Sequence, residues 1–124
     1  MSETDSLDQR IDQSVHNRIT EEVTSWPGVE AGTGRRGEWS IRLGRREIGH
    51  LHGNHAAHFS FPKDVWAELK AQGRITYHPV FPGREGPASR SIEDEDDVRD
   101  VIALLRLNYD RTVERHGLPE GTAA

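Results

Sequence analysis

The apolar residues of this chain follow two periodicities, and the switches between them mark its elements. Leu7, Ile11, Val15, Ile19 and Val23 recur every four residues, which on a helix aligns them in one stripe facing a core. Trp26-Pro27-Gly28 ends that helix, because proline disfavours helical backbone in the residue before it and glycine permits a turn. Extended chain follows. From Gly37 the pattern has period two: Trp39, Ile41 and Leu43 alternate with Ser40 and Arg42, as in a strand with one buried face. Leu43-Gly44-Arg45-Arg46 reads as a hairpin turn, 47–52 as the returning strand, and Ala57, Phe59 and Phe61 as a third strand after Gly53-Asn54.

Pro62 suits the first turn of a second helix, in which Val65, Trp66 and Leu69 share a face and Gly73 marks the end. Residues 74–80 read as a fourth strand, 81–87 as a loop rich in glycine and proline, and 89–92 as a brief edge strand. The acidic run from Asp94 to Asp97 reads as a helix start, where carboxylates meet the positive end of the helix dipole. Val98, Val101, Ile102, Leu105, Tyr109 and Val113 then form the stripe of a long closing helix that stops at Gly117. The order is αβββαββα: an α+β fold, with an antiparallel sheet and the terminal helices packed on one face. The expected boundaries are a disordered leader over 1–6, one domain over 7–116 and a flexible tail over 117–124.

Composition narrows the classes. With 33% apolar and 30% charged residues in 124, the chain builds one small core. A net charge of −5 argues against neutralising many phosphates, so nucleic acid is not an expected partner. No apolar run approaches the ~20 residues that cross a bilayer, and the start Met1-Ser-Glu-Thr-Asp lacks the parts of a signal peptide. A cytoplasmic protein without a membrane partner is the expectation. Cysteine is absent, which excludes disulfides, thiolate catalysis and cysteine-ligated metal.

Histidine is the chemistry that remains. Seven occur, and His50, His52, His55 and His58 fall within nine residues, with His78 further on. Residues two apart on a strand share a face, so His50 and His52 can hold one metal ion and His78 can complete a set of three, as a divalent ion such as zinc requires. Acid or base help would come from His55 or His58, because Glu47, odd-numbered on a strand where His50 and His52 are even, should point to the other face. Arg35, Arg36, Arg42, Arg45 and Arg46 crowd the first hairpin and suit phosphate or carboxylate. His50, His52, His58, His78, Arg42 and Arg46 are therefore the candidate ligand-binding residues, and His50, His52 and His78 the candidate metal ligands. If the histidines converge in a concavity near Arg42 or Arg46, the ligand is a small anion; if they lie flat, a protein partner. A metal-dependent enzyme and a structural or oligomerising subunit are the alternatives. No Gly-x-Ser-x-Gly elbow and no phosphate-wrapping glycine loop is present. The cupin pattern that Gly44 and His50-x-His52 begin fails at Ala56 and Ala57, where it needs a glutamate.

Trp26-Pro-Gly-Val, Leu43-Gly-Arg-Arg-Glu-Ile-Gly-His-Leu-His, Gly73-Arg, His78-Pro, Asp97-Val and Leu104-Leu-Arg-Leu-Asn-Tyr together resemble the small luciferase-domain family of bacterial and archaeal proteins. The resemblance spans roughly residues 26–111 and implies that a site, if the family has one, lies at Glu47, Ile48, Gly49, His50, His52 and His78. The family's name implies light emission, but the chain carries no flavin barrel, so the resemblance implies a location rather than an activity. Gly86-Pro-Ala-Ser-Arg-Ser-Ile departs from the tryptophan-containing strand of many members. The order of elements is also similar to that of the YjbR and MmcQ group, with a double-wing or frataxin-like layout.

Overall fold

A computed structural model describes residues 15–122; Leu7, Ile11 and the leader over 1–6 lie outside the described residues. The elements are α1 (15–24), β1 (Val29–Thr33), β2 (Trp39–Leu43), β3 (Arg46–His52), β4 (Ala56–Ser60), α2 (Lys63–Ala71), β5 (Thr76–Tyr77), β6 (Pro87–Ser91) and α3 (Glu95–His116). The class is α+β, with helices at both ends of an antiparallel sheet. The sheet has one strand more than the pattern shows. Val29-Glu-Ala-Gly-Thr lacks alternation, and it becomes β1 by pairing with β2 over five positions.

Sheet order is β1-β2-β3-β4-β6-β5, antiparallel throughout. The segment expected at the edge, β6, instead lies between β4 and β5. β5 shrinks to two residues and takes the edge, so His78 sits just past a strand rather than on one. No described helix is long and apolar enough to cross a membrane.

One core forms where α1 and α3 meet the sheet. Ile19 and Val23 of α1, Val101, Leu104 and Leu105 of α3, and Ile41, Leu51 and Ala57 of the strands are buried together. Each large aliphatic side chain buried in this way stabilises the fold by about 1.5–3 kcal/mol. Close approach of α3 to the sheet depends on Gly49: a Cβ there would lie 2.6 Å from Leu105 Cδ2 and 3.1 Å from Phe59 Cδ1. One turn along α3, buried Asn108 donates to the carbonyl oxygens of Ile48 (3.1 Å) and Ser60 (3.3 Å).

The acidic run does start a helix. Asp94 caps α3 by accepting the Asp97 N–H at 2.9 Å, and satisfying such a donor stabilises a helix by about 1 kcal/mol. Arg90 of β6 pairs with Asp97 at 2.6 Å and with Asp100 at 3.1 Å, while Arg74 reaches Asp100 at 2.7 Å. The chain after α3 folds back. Pro119 covers the turns at Gly28 and Gly44, where an added Cβ would meet it at 3.0 Å in each case, and Leu118 packs against the core.

One irregularity sets the face each β3 side chain takes. Ile41 pairs with Gly49, but the next residue of β2, Arg42, pairs with Glu47. Ile48 is therefore the extra residue of a β-bulge, which breaks strict alternation at that point. On its far side, Gly44 (φ 62°) makes the tight turn between β2 and β3.

Candidate functional site: a histidine floor and an arginine wall

The sheet face away from the core helices carries the histidines. His50 of β3 pairs directly with His58 of β4, and His58 with Ser89 of β6. The rings cluster at tilted and edge-on angles: His50 to His58 at 5.2 Å between centroids, His52 to His58 at 4.2 Å, and His58 to His78 at 4.2 Å. The trio that offers ring nitrogens within 4.8 Å of one another is His50, His58 and His78. His52 is exposed and outside that set, so the expected trio of His50, His52 and His78 changes by one member. Same-strand spacing selected His52; the cross-strand partner of His50, which spacing along one strand cannot reveal, is His58. His55 is exposed in the β3–β4 turn and does not join the group.

His58 sits at the centre of the cluster, 6% exposed, and its Nδ1 has no hydrogen-bond partner among the described residues. Burial, followed by the neighbouring His78, His52 and His50, pushes its pKa down to about 4. The pKa of His78 is lowered by burial and then by His50 and His52, and its Nδ1 accepts the Val80 N–H at 3.1 Å. His58 and His78 are thus both biased toward the neutral imidazole, because a cation on a partly desolvated ring beside other histidines is disfavoured.

The bulge corrects two expectations at once. Glu47 was expected on the opposite face, yet its Oε1 is 3.4 Å from His50 Nδ1 and accepts from Ser40 Oγ at 2.8 Å. Ile48 occupies the additional position, so three residues of chain bring Glu47 back to the face of His50. Burial pushes the Glu47 carboxyl up, but hydrogen bonds from His50 and Ser40 and the charges of His50 and Arg42 outweigh it and hold its pKa below the ordinary value. Arg46, expected beside the histidines, is carried away by the same step. It lines a separate hollow with Arg111, Thr112, Arg115 and His116 of α3.

Arg42 does reach the site: its Nε donates to Ser40 Oγ at 3.2 Å. Around it opens a cleft of about 650 Å³ lined on the β1–β2 side of the sheet by Arg35, Arg36, Glu38, Arg42 and Arg45, on its floor by Glu47, His50, His52 and His78, and toward the β5 edge by Val80 and Phe81. That volume lies within the range of small-molecule sites. Among the described residues none of the four arginines has an ion-pair partner. Val80 and Phe81 are exposed, at 70% and 40%, and give the cleft an apolar wall. The family resemblance named Glu47 for the site while strand alternation sent it to the other face, because the bulge that redirects it has no local signature.

No curated protein and no solved structure matches the chain, and the likeness to the YjbR and MmcQ group rests on element order alone. A family model described as Luciferase domain matches residues 45–108. That stretch covers 64 of the 124 residues and holds Glu47 and every histidine of the floor, while Arg35, Arg36 and Arg42 precede it. The chain therefore belongs to the luciferase-domain family.

Proposed function

We propose that this chain is a binding domain for a small anionic ligand, taken up in the cleft between the arginine wall and the histidine floor. The observation that carries this reading is the set of four arginines without ion-pair partners, gathered on one side of a concave site. Guanidinium groups at such a site offer paired N–H donors to carboxylate or phosphate. The floor adds imidazole nitrogens that donate or accept according to tautomer. Concavity favours a small ligand over a protein partner, which a flat histidine face would have suited. Val80 and Phe81 opposite the arginines suit a ligand with an apolar part as well as a charged one.

The test is titration calorimetry of metal-free protein with inorganic phosphate and with citrate, on wild type and on Arg42→Ala/Arg45→Ala. Both side chains are exposed, so the double variant should fold. A hydrogen bond to a charged group contributes about 1.5–3 kcal/mol, and affinity should fall at least ~10-fold in the variant. Equal binding by both proteins, or none by wild type, would sink the proposal.

A further inference from the structure

We infer that His50, His58 and His78 form a binding site for a divalent transition-metal ion, zinc being the best fit, on the floor of the arginine-lined cleft. The inference deepens the anion-cleft reading and rests on it only for where the ion's open position leads; the ligand set stands on its own geometry.

Three observations carry it. First, ring nitrogens from three separate segments, β3, β4 and the turn after β5, already lie within 4.8 Å of one another. Tetrahedral coordination at ~2.0–2.1 Å places ligand nitrogens about 3.3 Å apart, so the three rings must draw together on binding. Second, His58 is buried with its Nδ1 unpartnered among the described residues. A buried polar atom without a partner is costly and uncommon in folded proteins, and an ion ligated through Nδ1 would give it one. Third, Glu47 is 3.4 Å from His50 Nδ1 and is itself held by Ser40. A histidine that ligates a metal through one nitrogen ordinarily donates the other N–H to a carboxylate or carbonyl, which fixes its ring and tautomer.

The donor set fits the ion. Three imidazoles with no thiolate suit zinc and also nickel, cobalt or copper, and a site with three protein ligands keeps a fourth position for water or an oxygen of the bound anion. His50 and His78 both line the cleft, so that position opens toward the arginines. One contact must yield. His78 Nδ1 accepts the Val80 N–H, which places the ring proton on Nε2, so ligation through Nε2 moves the proton to Nδ1 and releases Val80. Val80 lies at an exposed turn, where water can take over its N–H.

The experiment uses untagged full-length protein stripped by chelator. It is titrated with cobalt(II) and zinc(II), with elemental analysis after dialysis and the visible absorption of bound cobalt as readouts. One ion per chain is expected, lost in His50→Ala and in His78→Ala and kept in His52→Ala. Glu47→Gln should weaken binding by about 10–100-fold. Circular dichroism of each metal-free variant checks folding; His78 is only partly buried, so His78→Ala keeps the test decisive should His50→Ala fail to fold. No stoichiometric ion in wild type, or equal loss in His52→Ala and His78→Ala, overturns the inference. Phosphate titration of the metal-free protein reads the cleft separately: an ion bound without any phosphate affinity leaves the metal site standing and removes the anion reading.

Discussion

Glu47 and His50 lie three residues apart on one strand and face the same way, 3.4 Å between carboxylate and ring nitrogen. Regular β-structure sends residues at that spacing to opposite faces, and Ile48 absorbs the difference. The Glu47 carboxylate is fixed on its other side by Ser40, which is buried and receives Arg42 Nε on the same hydroxyl.

Ser40→Ala should therefore act on two partners. Removing the hydroxyl takes a donor from Glu47 and an acceptor from Arg42, at a cost of about 1–2 kcal/mol. Chemical denaturation should show the loss of stability, and calorimetry with phosphate should show weaker binding because Arg42 is no longer held. Unchanged affinity with reduced stability would mean that Arg42 does not need Ser40 to reach the ligand.

Gly49→Ala probes the seam between β3 and α3. The new methyl would fall 2.6 Å from Leu105 Cδ2, and Leu105 is fully buried, so it has nowhere to swing. Overpacking of this kind costs about 1–3 kcal/mol, read as a lower urea midpoint at constant slope. A wild-type midpoint would show that α3 can shift away from the sheet at little cost.

Acid should loosen the start of α3. The Glu93 N–H, followed by Arg90, holds the Asp97 pKa below its ordinary 3.8 despite opposing burial. A carboxyl depressed in the folded state contributes stability that is present above the unfolded value, and loses it as pH falls through the folded one. Below about pH 3.8, wild type should therefore lose stability more steeply than Asp97→Asn, which lacks the titrating group and is less stable at neutral pH. Parallel acid denaturation curves for the two proteins would contradict this.

Much of the fold was readable because local pattern and tertiary role agree. The Ile19 and Val23 stripe, the Trp39, Ile41 and Leu43 alternation, and the acidic start of α3 each do in three dimensions what their spacing implies. β1 escaped because Glu30, Ala31 and Gly32 give it no apolar rhythm and only β2 makes it a strand. The interior position of β6 depends on pairing between distant segments, which spacing does not encode. At the site, His50 and His78 were legible as members of a cluster, whereas the place of His58 follows from its strand partner and those of Glu47 and Arg46 from a single bulge.

The distribution of arginine also bears on how a ligand arrives. The chain is net negative, yet Arg35, Arg36, Arg42 and Arg45 gather by the β1–β2 and β2–β3 hairpins, while Asp94, Glu95, Asp96 and Asp97 cluster at the start of α3, beside β6 toward the other edge of the sheet. Three of those acids are paired, Glu95 with Arg18, Asp96 with Arg99 and Asp97 with Arg90, so the unpaired charge is the local one at the cleft mouth. Its field extends about 8–10 Å into physiological buffer, further than any hydrogen bond, so an approaching anion feels the cationic mouth before touching it. Productive encounters are thereby enriched over random ones, and the rate of capture becomes a property of the charge at the mouth as well as of the contacts within the cleft.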